Sequence, residues 1–187
     1  MTDKVLADRG QALETEFFKK QNELALQKLK AQHAQEVDKE GISHLTGVND
    51  PAVLNSLVQL KLKPETFAAF GLYPLVEVAW ADGGCDEKER SAVLQAAEAS
   101  GISKAGPAYA MLDSWLLEKP PKAMRAAWFS YVKALCEKLT AAEKAKLKAQ
   151  VMGRALAVAQ KSGGILGIMA VTKSELAILK QLEDAFL

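Results

Sequence analysis

The chain has little of what marks several protein classes. Its 187 residues include two cysteines, Cys85 and Cys136, far apart in sequence. A secreted scaffold held by disulfides usually carries more, so reduced thiols in a cytosol are the simpler expectation. Histidine is as scarce: His33 and His44 have no metal-pair partner at helical spacing beyond a weak His33–Glu36 neighbourhood. The longest notable apolar run, Gly163 to Val171, is nine residues, whereas a membrane-spanning helix needs roughly 20. Residues 1–20 are charged throughout and lack the apolar stretch of a signal peptide. These absences point to a cytoplasmic protein with no transmembrane segment.

Catalytic signatures are missing too. Ser43 precedes His44, but neighbours in sequence make no dyad, and no G-x-S-x-G elbow is present. The glycines at 163, 164 and 167 are not followed by Lys-Ser/Thr at phosphate-loop spacing. The carboxylates Glu77 and Asp82 could do acid–base work, yet nothing nominates a nucleophile or cofactor. The chain reads as a non-enzyme.

What is present is helical periodicity and enough apolar material, 49% of residues, for a real core. Alternating strand patterns are nearly absent. Thr2 to about Lys39 predicts one long helix with a sparse apolar stripe of Leu6, Leu13, Phe17, Leu24 and Leu29. Such a thin stripe suits a helix that packs lightly or projects toward a partner protein. Gly41 to Asn49 reads as a break. Asp50–Pro51 then opens a short amphipathic helix carrying Val53, Leu54, Leu57 and Val58. Further helices are expected from Pro64, from Tyr73–Pro74, over 86–100, through Ala108, Met111, Leu112, Trp115 and Leu116, from Pro120–Pro121, from 140 to about 162 and over 172–187, the last with Leu176, Leu179, Leu182 and Phe186 inward. Trp80, Trp115 and Trp128 lie on apolar faces and read as core. The prediction is an all-α, irregular bundle of about eight helices, with an N-terminal helical extension over 1–60 and a helical domain over 61–187.

Charge is split along the chain. Residues 64–118 hold nine Asp/Glu against three Lys/Arg, a net of −6, and residues 119–161 hold ten Lys/Arg against two Glu, a net of +8. The basic stretch, with Lys138, Lys144, Lys146, Lys148 and Arg154, has no nucleic-acid motif and no interleaved aromatics. A solvated face that partly compensates the acidic half accounts for it better than nucleic-acid binding.

The sharpest local feature is the run Trp80-Ala81-Asp82-Gly83-Gly84-Cys85-Asp86-Glu87-Lys88-Glu89. It combines a helix end, a glycine turn and an acidic helix start. Asp82, Asp86, Glu87 and Glu89 supply hard oxygens suited to Ca²⁺ or Mg²⁺, and Glu77 lies about one turn earlier. Helix capping is the competing and stronger reading: Asp86 with Glu89 three residues on is a capping box, and acidic residues in a first turn complement the helix dipole. EF-hand spacing is absent. Acidic neighbours also oppose a reactive thiolate at Cys85. Thr172-Lys173-Ser174-Glu175 repeats the box, and aligning Asp86 with Thr172 sets Glu89 on Glu175 and Val93 on Leu179, which hints at two related halves. Thr140 to Glu143 forms a third box. The Gly163–Met169 connector reads as a turn that plugs the core with Ile165, Leu166 and Ile168, with peripheral membrane contact as the alternative.

The run from Leu75 through Ala97, centred on Val78-Ala79-Trp80-Ala81-Asp82-Gly83 and Asp86-Glu87-Lys88-Glu89, resembles the TerB-like (tellurite-resistance) helical family. The Gly163-Gly164 connector followed by Thr172-Lys173-Ser174-Glu175 resembles the second half of such domains. The resemblance covers about residues 64–187. It implies a pseudo-two-fold helical core, a stress-response role, metal binding, membrane-linked complexes and no enzymatic activity. Asp82, Asp86 and Glu89 match the family's acidic positions. Cys85 stands where an apolar residue is usual, and the second copy lacks the acidic glycine turn.

Overall fold

A computed structural model describes residues 2–162 and 171–187, with the backbone alone for residues 2–19 and 162. Among the described residues there are nine α-helices, two 3₁₀ turns and no strand. In order they are α1 (Thr2–Thr46), α2 (Pro51–Gln59), a 3₁₀ turn (Pro64–Thr66), α3 (Phe67–Gly71), α4 (Tyr73–Ala79), α5 (Glu87–Ala99), α6 (Pro107–Leu117), α7 (Lys122–Cys136), α8 (Ala141–Ser162), α9 (Lys173–Glu183) and a closing 3₁₀ turn (Asp184–Phe186). None is long and apolar enough to cross a membrane. The chain is all-α, as its periodicity predicts.

The short helix α4 is the hub. Six of its seven residues, all but Glu77, are buried, and α5, α6, α8 and α9 pack around it. A helix this short cannot hold itself together in water. Its stability comes from an apolar surface that faces neighbours on every side. Trp128 on α7 packs edge-on against Phe129 and Phe186. Phe67, Phe70 and Tyr131 meet edge-on or tilted in a second aromatic group, continued through Tyr73 to Trp115. The Trp80 indole N–H donates to the Trp115 carbonyl at 2.9 Å, so that polar edge is satisfied.

Helix α1 differs from expectation at Gly41. The helix does not break there but continues to Thr46, where Gly47, at φ +71°, closes it. A Cβ on Gly41 would lie 2.4 Å from Pro64 Cγ. The glycine lets the Pro64 turn press against the helix, a packing role that looks like a breaker in sequence. Asp50 caps α2 as predicted, accepting from the amides of Ala52 and Val53. Ile42, Val48, Leu57 and Leu62 are buried in the same apolar cluster as α4 and α7. The body therefore takes in residues from the end of α1 and all of α2.

Residues 20–37 of α1 stand away from the body. From residue 20 to residue 37 every position is exposed. Leu24 and Leu29, assigned to the apolar stripe, are 48% and 63% exposed. Leu6, Leu13 and Phe17 lie outside the described side chains. Leu24 sits five helical turns before the buried Ile42, on the same side; the body ends before it reaches that far. A second departure is Leu176, expected inward but 53% exposed. The inward face of α9 runs Glu175, Leu179, Leu182 and on to Phe186, which turns Leu176 about 100° away. The Gly163–Met169 connector also falls outside the described residues.

Candidate functional site

The acidic turn joins α4 to α5. The Gly83 amide returns to the Trp80 carbonyl at 3.2 Å, with Gly83 at φ +98°, a conformation that favours glycine. The Gly84 amide donates to Asp82 Oδ1 at 3.2 Å. The Glu89 amide then donates to Asp86 Oδ1, and the Asp86 amide donates to Glu89 Oε2, both at 2.8 Å. The capping box predicted from sequence is fully formed, and it engages one oxygen of each acid.

The four predicted cation ligands are not equivalent. Asp82, Asp86 and Glu87 are exposed, while Glu89 is buried, with 7% exposure. The Glu87 side chain is 82% exposed and leans on Arg90 at 3.4 Å. Arg90 itself is fixed by Asp113 of α6 at 2.8 Å. Glu77 takes a different direction: it accepts from the Tyr73 hydroxyl and faces Arg125 of α7 at 3.7 Å. Among the described residues, no three His, Cys, Asp or Glu are grouped so as to hold a metal ion.

The charge of Glu175, on α9, acts on Glu89. Thr172 and Glu175 form the matching box on α9, with the Thr172 amide donating to Glu175 Oε2 at 2.6 Å and the Glu175 amide to Thr172 Oγ1 at 3.2 Å. Glu175 is only 3% exposed. Val93 and Leu179, one turn beyond each box, are both buried. The structure thus brings the third residue of each box into the interior together. Sequence reasoning read Glu175 as a cap alone; the signal it carried was the register that aligns Glu175 with Glu89.

Burial changes the chemistry of Glu89. Its carboxyl is pushed up to about 7, first by desolvation and then by the charges of Asp86, Asp82 and Glu175, against the pull of the Asp86 amide. The Thr140–Glu143 box shares the two backbone bonds, at 2.9 and 3.3 Å, and adds a third, from the Thr140 hydroxyl to Glu143 Oε2 at 2.6 Å. Glu143 is exposed, and its carboxyl is lowered by the Thr140 hydroxyl and amide. Asp86 has no hydroxyl to make the third bond, and burial carries the Glu89 carboxyl the other way. Cys85, beside this cluster, is pushed up to about 11 by burial and by Glu89 and Asp86, so at neutral pH it is a thiol, not a nucleophilic thiolate.

Parts of the basic half are tied to acids or backbone carbonyls elsewhere in the fold. Lys148 of α8 pairs with Glu183 of α9 at 2.8 Å, Arg125 faces Glu77, and Lys138 donates to the Gly47 carbonyl. His33 and His44 are both exposed.

No family model matches this chain, and no curated protein or solved structure is significantly similar to it.

Proposed function

We propose that this chain is a non-enzymatic, TerB-like helical binding module of the cytoplasmic stress-response type, in which α1 contacts a partner protein and the helical body anchors that helix. The observation that carries the reading is the exposure of residues 20–37 of α1, with Leu24, Leu26, Leu29 and Val37 all about half exposed or more, whereas the apolar core of the body begins at Ile42. Isolated helices are marginal in water, and a long projecting one gains most from a surface that covers it. Deleting residues 1–36 tests this. The body is expected to keep its melting temperature and helicity; unfolding would make α1 part of the core and overturn the reading.

A second reading, a divalent-cation site at Asp82, Asp86, Glu87 and Glu89, is favoured by the negative charges of Asp86, Asp82 and Glu175, which act on the buried Glu89. A hard cation such as Ca²⁺ or Mg²⁺ would relieve that mutual repulsion. Titration with Ca²⁺, Mg²⁺ and Zn²⁺, followed by amide shifts over residues 82–89, tests it. Unchanged shifts at millimolar cation would sink it.

A further inference from the structure

Residues 20–37 of α1 cover about 27 Å of helix at 1.5 Å per residue. Leu26, Leu29, His33 and Val37 follow one another at spacings of three, four and four, which sets them on one face. All four are exposed, with Leu26 52%, Leu29 63% and Val37 52%. This stripe is separate from the side on which Leu24 aligns with Ile42. It runs into a groove of about 320 Å³ between α1 and α2, whose lining includes Glu36, Glu40, Ser43, His44 and Leu54.

The charges around this stripe are polarised along the helix. Residues 20–30 carry Lys20, Lys28 and Lys30 against Glu23, a net of +2. Residues 36–40 carry Glu36, Asp38 and Glu40 against Lys39, a net of −2. A parallel pair of these helices would set like charge against like. An antiparallel pair centred near residue 32 sets each basic segment against the partner's acidic one, and lays Leu26 and Leu29 across from Val37 and His33. The same arrangement brings the Lys20 end of one helix to the Glu40 edge of the other's groove.

We propose that the occupant of this face is a second copy of the chain, paired through α1 in antiparallel orientation. The proposal rests on the reading of α1 as a contact helix and names its partner. Opposed charges fix the orientation, because juxtaposed like charges are strongly disfavoured at an interface. The Leu26–Val37 stripe supplies the apolar contact.

Charge exchange in the full chain tests it by sedimentation equilibrium. The unaltered chain is expected to dimerise, more weakly as salt rises. The variant K28E/K30E makes both segments acidic, and E36K/E40K makes both basic, so each alone is expected to lose at least about tenfold in affinity. Mixing the two restores complementarity in both halves of the pair, and a heterodimer is expected to form. All four positions are exposed, and circular dichroism checks that the helix persists. A monomeric unaltered chain, undiminished dimers of either variant, or a mixture that stays monomeric would each overturn the proposal. Such failure is distinct from failure of the contact-helix reading, which falls only if removing residues 1–36 unfolds the body.

Discussion

Replacing Glu89 by Gln separates the capping role of this residue from the cost of its charge. Gln preserves the carbonyl oxygen that accepts from the Asp86 amide, and Gln serves at this position of a capping box. It removes the carboxylate that burial and three neighbouring acids disfavour. In the folded protein the Glu89 carboxyl is pushed from its ordinary 4.5 to about 7. A carboxyl raised on folding holds its proton longer in the folded state than in the unfolded chain. Between about pH 4.5 and 7 the folded state therefore binds more protons, and stability falls as pH rises. At about 1.4 kcal/mol per pKa unit the full cost is about 3 kcal/mol above pH 8, and about 1–3 kcal/mol once solvent at the rim of the turn is allowed for. Glu89→Gln is expected to raise stability at pH 8 by that amount, or about 3–10 °C in melting temperature for a chain of this size. Near pH 4.5 it is expected to change little. Urea unfolding at four pH values between 4.5 and 8 measures both ends. A variant less stable than the original at pH 8, or one with the same pH slope, would refute the reasoning. If a cation occupies the turn, added Ca²⁺ will stabilise the original protein at pH 8 and leave the variant unmoved.

Other expectations follow from packing. Gly41→Ala places a Cβ where the Pro64 ring lies 2.4 Å away, and overpacking of this kind costs about 1–3 kcal/mol; thermal melting reads it, and an unchanged midpoint would mean that the Pro64 turn moves freely. The register of α9 is tested by a pair of substitutions. Leu182→Ala, at a fully buried position, is expected to lose about 2–5 kcal/mol. Leu176→Ala, at a half-exposed one, is expected to stay within about 0.5 kcal/mol; equal losses would reverse the assignment of the inward face. Cys85, with its thiol pushed up to about 11, is expected to alkylate with iodoacetamide far more slowly at pH 8 than an ordinary exposed cysteine, and rapid labelling would contradict its burial among acids.

Much of the architecture was legible because helices are written locally. Asp50 before Pro51, Asp86 three residues before Glu89 and Thr172 three before Glu175 each mark a helix start through bonds that span only a few residues. The apolar period of α2, Val53, Leu54, Leu57 and Val58, likewise identifies its inward face, since spacing of 3.6 residues decides which side chains share a side. Gly101, at φ +85°, stops α5 for a reason visible in the residue type alone.

Tertiary structure decided what those local signals could not. The stretch Gly41 to Asn49 reads as one break, but only the approach of Pro64 reveals that Gly41 is a packing contact and that the helix stops at Gly47. Three capping boxes look alike in sequence; the fold buries Glu89 and Glu175 and leaves Glu143 in solvent, and burial raises the Glu89 carboxyl while the Thr140 hydroxyl and amide lower that of Glu143. The stripe on α1 left open whether the helix packs lightly or projects, because periodicity shows which residues share a face, not whether a neighbour covers it. Burial depends on elements far apart in the chain. Sequence by itself thus determined where the helices lie and how they begin, while the packing between them alone decided which acids lose their water and which apolar face of α1 stays open.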